Sequence, residues 1–250
     1  MFANFPKIRP ALPKEIKAIY SAHYKSNWQG LTTASSLSQR MESWMHRQAA
    51  NDLTAPKDSK KVTLEIGAGT LNHLQYESMV ETYDIAEPFA DLYKNSVNLP
   101  RIRNIYSNIF QVPVDARYDR IVSIAALEHI CDLPNVIAKS GLLLAKNGAF
   151  RASIPNEGAA LWKLGWKLTT GLEFKLKYGL DYGLLMKHEH VNTAKEIEEV
   201  LKYFFKKIKC KVFGLTKSIS LYRYYECGSP RLERCNKFFP TSVSEEEFHN

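Results

Sequence analysis

The spacing of apolar positions changes character twice along the chain. Over residues 1–50 it is helical, as in SLSQRMESWMHRQAA, and no glycine interrupts Leu31 to Leu64. Residues 51–60, NDLTAPKDSK, are polar with a proline and read as a linker. Short apolar runs then alternate with helical stretches. KVTLEI, ETYDIAEP, RIRNIYSN, YDRIVSIAA and AFRASIP predict strands. LNHLQYESMV, FADLYKNSV and LPNVIAKSGLLLAKNG predict helices, the last ending at a glycine. Strands alternating with helices build a parallel sheet covered on both faces.

After Pro155 the alternation stops. Residues 157–187 form an insertion rich in Leu, Lys, Trp and Gly. In VNTAKEIEEVLKYFF, Thr193 and Glu196 make a capping box, and Ile197, Val200, Leu201, Phe204 and Phe205 share one helical face. IKCKVFGL and SISLYRYYECG predict two strands joined by a short turn, hence antiparallel. The polar chain from Ser229 is expected to be loosely held. The expected organisation is a helical cap and linker over 1–60, an α/β domain over 61–228 with a lid insertion at 157–187, and a flexible tail over 229–250.

Composition narrows the class. A chain of 250 residues with 45% apolar content can bury a large core. It has no apolar run of about 18 residues, so no membrane span is expected. The N-terminus lacks the apolar block of a signal peptide, and the four cysteines lack metal-ligand spacing. A cytoplasmic protein with reduced thiols is expected. The net charge of +8 is uneven: ten Lys/Arg against four Asp/Glu over 1–61, eight against eleven over 62–160, sixteen against eleven over 161–250. Basic flanks suit an anionic partner, or they serve solubility alone.

Candidate chemistry gathers at VTLEIGAGTLNHL, Val62 to Leu74. Open parallel sheets bind ligands at strand carboxyl ends, where the winding reverses. Gly67 allows a tight turn there, and Gly69 lets backbone approach a ligand. Glu87 follows Gly67 by 20 positions, at the end of the second strand, a spacing suited to ribose hydroxyls. A dinucleotide fingerprint would want glycine where Asn72 stands. Glu65 at the turn's entry would repel a pyrophosphate and attract an ammonium. The ligand expected is therefore a nucleoside bearing an amino acid, S-adenosylmethionine (SAM), with Glu65 near its amino end and Glu87 on its ribose.

The segments LEIGAGT, YDIAEP, YDRIVSIAALEHICDLPNV, NGAFRASIPNE and HEHVNTAKEIEEVL together resemble class I SAM-dependent methyltransferases of the type-11-like group that includes ubiquinone-biosynthesis enzymes. The resemblance covers roughly residues 60–226. It implies a Rossmann-like, doubly wound seven-stranded sheet of order 3-2-1-4-5-7-6 with strand 7 antiparallel. It implies cofactor contacts from Glu65, Gly67, Ala68, Gly69, Glu87, Asn108, Ile109 and Ala125, with the Asn108 amide oxygen facing the adenine amino group. Asp84 competes with Glu87 for the ribose. Leu71 stands where the family has a third glycine.

Methyl transfer needs an aligned acceptor and, for an oxygen acceptor, loss of a proton. Glu128, His129, Asn156, Glu157, His188 and His190 are placed to serve it. His129 and His190 are the catalytic candidates, against a reading in which Glu128 and His129 cap a helix and lock its loop. Glu128, His129 and a later histidine also resemble part of the metal site of small-RNA 2′-O-methyltransferases, with pattern Glu-x-x-Glu-His. Ala125 replaces its first carboxylate, so no metal is expected. The insertion's Trp162, Trp166, Phe174, Tyr178 and Tyr182 can stack on an acceptor or pack on the body. Lys163, Lys167, Lys175 and Lys177 can meet phosphate or lipid headgroups. Tyr24, Trp28 and Trp44 are expected to close the other side. The expectation is O-methylation of a small-molecule, sugar or lipid-linked glycan acceptor, with peripheral membrane contact through the lid. RNA methylation and a catalytically inactive SAM-binding regulator are the alternatives.

Overall fold

Alternate residues of the central strands divide the protein into two unlike halves. The computed structural model describes residues 2–14, 16, 17, 19, 36–53, 61–77, 82–159, 162 and 170–238. Helix α1 (Ser36–Ala50) precedes β1 (Val62–Ile66), β2 (Thr82–Ala86), the single turn α2 (Ala90–Tyr93), β3 (Asn104–Tyr106) and β4 (Tyr118–Ile124). Then come α3 (Leu133–Leu143), β5 (Leu144–Pro155), α4 (Thr170–Tyr178), α5 (Tyr182–Glu189), α6 (Ala194–Phe204), β6 (Phe205–Gly214), β7 (Ser220–Pro230) and α7 (Leu232–Phe238). The sheet order is β3-β2-β1-β4-β5-β7-β6. The first five strands run parallel, and β7 is antiparallel to both β5 and β6. This is the architecture expected from the sequence. Among the described residues, no helix is long and apolar enough to cross a membrane.

On one face Leu64, Ile66, Ile121, Phe150, Ala152 and Ile154 form a core with α3, α6 and α7. The Thr193–Glu196 capping box starts α6 and sets its apolar face on the sheet. On the other face Arg120, Arg151 and Ser153 point at α1. All five N–H donors of Arg120 are used: Nε to Asp52, Nη1 to Thr63 and Glu77, Nη2 to Glu77 and the Ala49 carbonyl. Arg151 donates to the carbonyls of Ala49 and Gln48 and to Glu226, and Ser153 Oγ to that of Met45. The Gln48 and Ala49 carbonyls belong to the last turn of α1, which no further turn of helix can satisfy.

Four local expectations change. Residues 2–13 are not helical: they form a strap whose Lys7 reaches Glu196 and the Val191 carbonyl. The helix before β5 stops at Leu143 rather than at a glycine, because residues 144–148 already belong to β5 and Leu144 pairs with Tyr118. The chain from Ser229 is held as far as Phe238: β7 runs to Pro230, and α7 buries Cys235 against α3. The loosely held tail therefore does not begin at 229, and residues 239–250 lie outside the described residues. The predicted helix at LNHLQYESMV is a 3-10 turn over Asn72–Tyr76. Tyr24, Trp28, Lys163, Trp166 and Lys167 also lie outside the described residues.

Candidate active site

The turn leaving β1 is built from left-handed backbone. Gly67 (φ +73°), Gly69 (φ +51°) and Leu71 (φ +64°) all adopt it. A Cβ on Gly67 would lie 2.4 Å from the Cβ of Ala126, so this glycine lets the loops after β1 and β4 touch. Leu71 holds a left-handed conformation that suits glycine better, at a cost of roughly 1–2 kcal/mol. Its fully buried side chain, packed with Ala68, Leu74 and Tyr83, offsets that cost.

Glu87 stands at the rim of this turn. Its Oε2 accepts from the Gly69 N–H at 2.9 Å and its Oε1 from the Phe89 N–H at 3.0 Å. Burial raises its pKa, and the two N–H donors oppose that rise. Asp84, its competitor, is saturated by Arg103, Asn104 and the Tyr118 hydroxyl. Burial pushes the Asp84 pKa up, but those bonds, Arg103 first, leave it lowered. Asp84 braces β2 against β3 and β4.

Glu65 lies deeper, on the α1 face, and accepts the Tyr83 hydroxyl at 2.9 Å. Desolvation drives its pKa well up, opposed by that hydrogen bond and assisted by the nearby charges of Glu77 and Glu87. The Asn108 amide oxygen accepts from the N–H groups of both Phe110 and Gln111. Both its lone pairs are thus occupied, which tells against its predicted reception of an adenine amino group. Ile109, the next residue, is buried in the apolar core. Ala125 (φ +50°) leaves β4 with its N–H bound to the Ser153 carbonyl.

A second set of side chains collects beyond β4 and β5. Asn192 ties it together, its amide donating to the Leu127 and Ile130 carbonyls and its N–H to the Glu128 carbonyl. This brings His190 against His129, ring centroids 5.0 Å apart. His129 Nδ1 lies 2.9 Å from the Glu189 carbonyl, and His190 Nδ1 lies 2.9 Å from Glu157 Oε2. Burial lowers the His129 pKa, but Glu189 and Glu128 outweigh it and leave it raised. Trp162 donates to Glu157 at 2.6 Å and packs edge-on to Tyr222. His188 is turned away, its Nδ1 on the Pro10 carbonyl, and the Asn156 amide nitrogen donates to the turn before β7. Phe174 is buried among Tyr178 and Tyr182, so its aromatic surface packs the lid itself.

Arg9 was not among the sequence candidates. Its guanidinium donates to the carbonyls of His129, His188 and Glu189, clamping the two histidine-bearing segments together. An isolated arginine in an aperiodic stretch carries no signal of such a role.

None of the known family models matches the chain, and no curated protein matches it. Solved structures do. A SAM-dependent methyltransferase from Thermotoga maritima, described as a possible histamine N-methyltransferase, is 10% identical, with TM-score 0.52 over 85% of this chain and 97% of that one. The plantazolicin methyltransferase BpumL, in complex with a monoazolic desmethylPZN analog and S-adenosylhomocysteine, is 13% identical, with TM-score 0.57 over 86% and 92%. The CurJ carbon methyltransferase is 16% identical, with TM-score 0.57 over 86% and 61%. At these identities the likeness establishes a shared fold.

Proposed function

We propose that the chain is a SAM-dependent methyltransferase that works in the cytoplasm and methylates an oxygen of a small-molecule, sugar or lipid-linked glycan acceptor. The observation that carries the cofactor reading is Glu87, fixed by Gly69 and Phe89 beside a turn of left-handed residues at the carboxyl ends of β1 and β2. When bound, the cofactor supplies a methyl group already activated on a sulfonium. The residues around it have binding and orienting work to do. Gly67, Ala68 and Gly69 receive the amino-acid half, Glu65 offers negative charge to the ammonium, and Glu87 accepts from the ribose hydroxyls. Ile109 and Ala125 wall the adenosine, with Asn108 at its edge.

The acceptor side is read from the cluster beyond β4 and β5. Trp162 and Tyr222 offer flat apolar surface for a sugar or ring, and His129 and His190, in contact beside them, are the polar groups we assign to the reacting oxygen. The exposed Lys175 and Lys177 of the lid, and the basic flanks, favour an anionic or headgroup-linked acceptor.

Calorimetry on the full chain tests the cofactor. S-adenosylhomocysteine and SAM should bind, and NAD should not. Glu87→Gln should weaken binding roughly 10- to 150-fold, the equivalent of about 1.5–3 kcal/mol for a hydrogen bond to a charged group. Heat with NAD and none with SAM would sink the reading.

A further inference from the structure

The structure assigns to Glu128, His129 and His190 a binding site for one divalent first-row transition cation. These three residues each offer a ligand atom, and the atoms lie within 4.8 Å of one another. Metal–ligand bonds of about 2.0–2.2 Å allow ligand atoms to stand at most about 4.4 Å apart. Small side-chain rotations close the difference.

Two independent features point at a cation. Glu128 is 1% exposed and its Oε2 has no hydrogen-bond partner. A buried carboxylate oxygen that no donor satisfies is costly unless a positive charge meets it. The imidazoles are also oriented as ligating imidazoles are. Each is held through Nδ1: His129 by the Glu189 carbonyl at 2.9 Å and carboxylate at 3.4 Å, His190 by the Glu157 carboxylate at 2.9 Å. A ring that donates from Nδ1 presents the Nε2 lone pair, the arrangement of a histidine backed by a carboxylate. His129 Nε2 lies 3.8 Å from Glu128 Oε1. Trp162 in turn fixes Glu157.

The expectation of no metal rested on Ala125, where a further carboxylate was missing. The fold brings carboxylates in from elsewhere, Glu157 after β5 and Glu189 at the end of α5, and sets them behind the rings. Two imidazoles with one carboxylate suit the series from manganese to zinc better than magnesium or calcium, which take oxygen ligands. Three protein ligands leave coordination positions open. Ala126 packs against Gly67, so the site adjoins the turn after β1. The open positions would take the acceptor's oxygen atoms, which narrows the acceptor to one that chelates through a hydroxyl. That last step rests on the methyltransferase reading, and the cation site does not.

The full chain, stripped with chelator and dialysed, is titrated with Zn²⁺ and Mn²⁺ by calorimetry and with Co²⁺ by visible absorption. One equivalent should bind, with a Co²⁺ ligand-field band. Glu128→Gln and His190→Gln should each weaken binding at least 100-fold. Glu157→Gln, which leaves the ligand set intact, should weaken it about 10- to 100-fold. Circular dichroism identifies any variant that fails to fold, and Glu157→Gln then stands as the second probe. Absence of stoichiometric binding, or binding that Glu128→Gln and His190→Gln leave unchanged, overturns the site. SAM is titrated in parallel. Metal binding without SAM binding keeps the site and removes the methyltransferase reading. SAM binding without metal does the reverse.

Discussion

The two faces of the sheet solve the same packing problem with opposite chemistry. Toward α3, α6 and α7 the strands present Leu64, Ile121, Phe150 and Ile154, and dispersion and water release hold the layers together. Toward α1 they present Thr63, Arg120, Arg151 and Ser153, equally buried, and the layer is held by arginines that reach the last carbonyls of the helix. The apolar face tolerates approximate fit. The polar face depends on paired charges, because an unmatched buried charge costs several kcal/mol.

The largest expected effect follows from that difference. Arg120→Met leaves the fully buried Glu77 with His73 as its remaining partner and should cost about 3–5 kcal/mol in thermal or denaturant unfolding. Phe150→Ala on the other face should cost a similar amount, through lost burial and a cavity. The two separate on rescue. Adding Glu77→Met to Arg120→Met should restore more than half the loss. If the double variant unfolds as early as the single one, the polar face is not held by matched pairs.

Acid gives a smaller, graded test. His46 on α1 lies 3.0 Å from His73, nitrogen to nitrogen, and stacks on Tyr76. Burial first, and the His73 charge second, lower its pKa from 6.5 to about 3. The folded state thus binds this proton more weakly than the unfolded state does. Stability is complete above pH 6.5 and declines as pH falls below it, by up to about 1.4 kcal/mol per unit. Between pH 6.5 and 4.5, before ordinary carboxylates titrate, wild type should lose more stability than His46→Gln. Parallel melting curves across that window would refute the assignment.

The smallest effect concerns Glu65, the point where the polar face meets the proposed cofactor site. Its raised pKa means that folding favours the protonated acid, so a cost sets in as pH rises above about 4.5. Glu65→Gln should raise the melting temperature of the ligand-free chain by a few degrees at pH 7, at about 2–4 °C per kcal/mol. The same change should weaken SAM binding. A variant that is neither more stable nor weaker in binding would separate Glu65 from both roles.

The sequence showed the strands because apolar runs, glycines and prolines punctuate them locally, while their order came from the resemblance of five segments to class I SAM-dependent methyltransferases. The Thr193–Glu196 capping box and the Gly67–Gly69 turn were legible for the same reason. The polar face was not. YDRIVSIAA and AFRASIP read as strands, but nothing local says that Arg120 and Arg151 are buried, since their partners lie 43 to 103 residues away in sequence. The helix end before β5 was misplaced because LLLAKNG keeps helical spacing, and only pairing with Tyr118 turns it into strand. The histidine cluster was visible as separate residues, while the carboxylates behind its rings come from distant segments.

Arg9 carries one more implication, for the order in which the chain is made. Its carbonyl acceptors at His188 and Glu189 are 179 and 180 residues downstream. A ribosome adding about 5–20 residues per second delivers them roughly 9–36 seconds later. The sheet from β1 to β5 can therefore be complete while the strap, already able to reach the His129 and Cys131 carbonyls, still waits for its anchors at His188 and Glu189. The rim that carries both histidines is fastened late in synthesis, by a segment that emerged well before it.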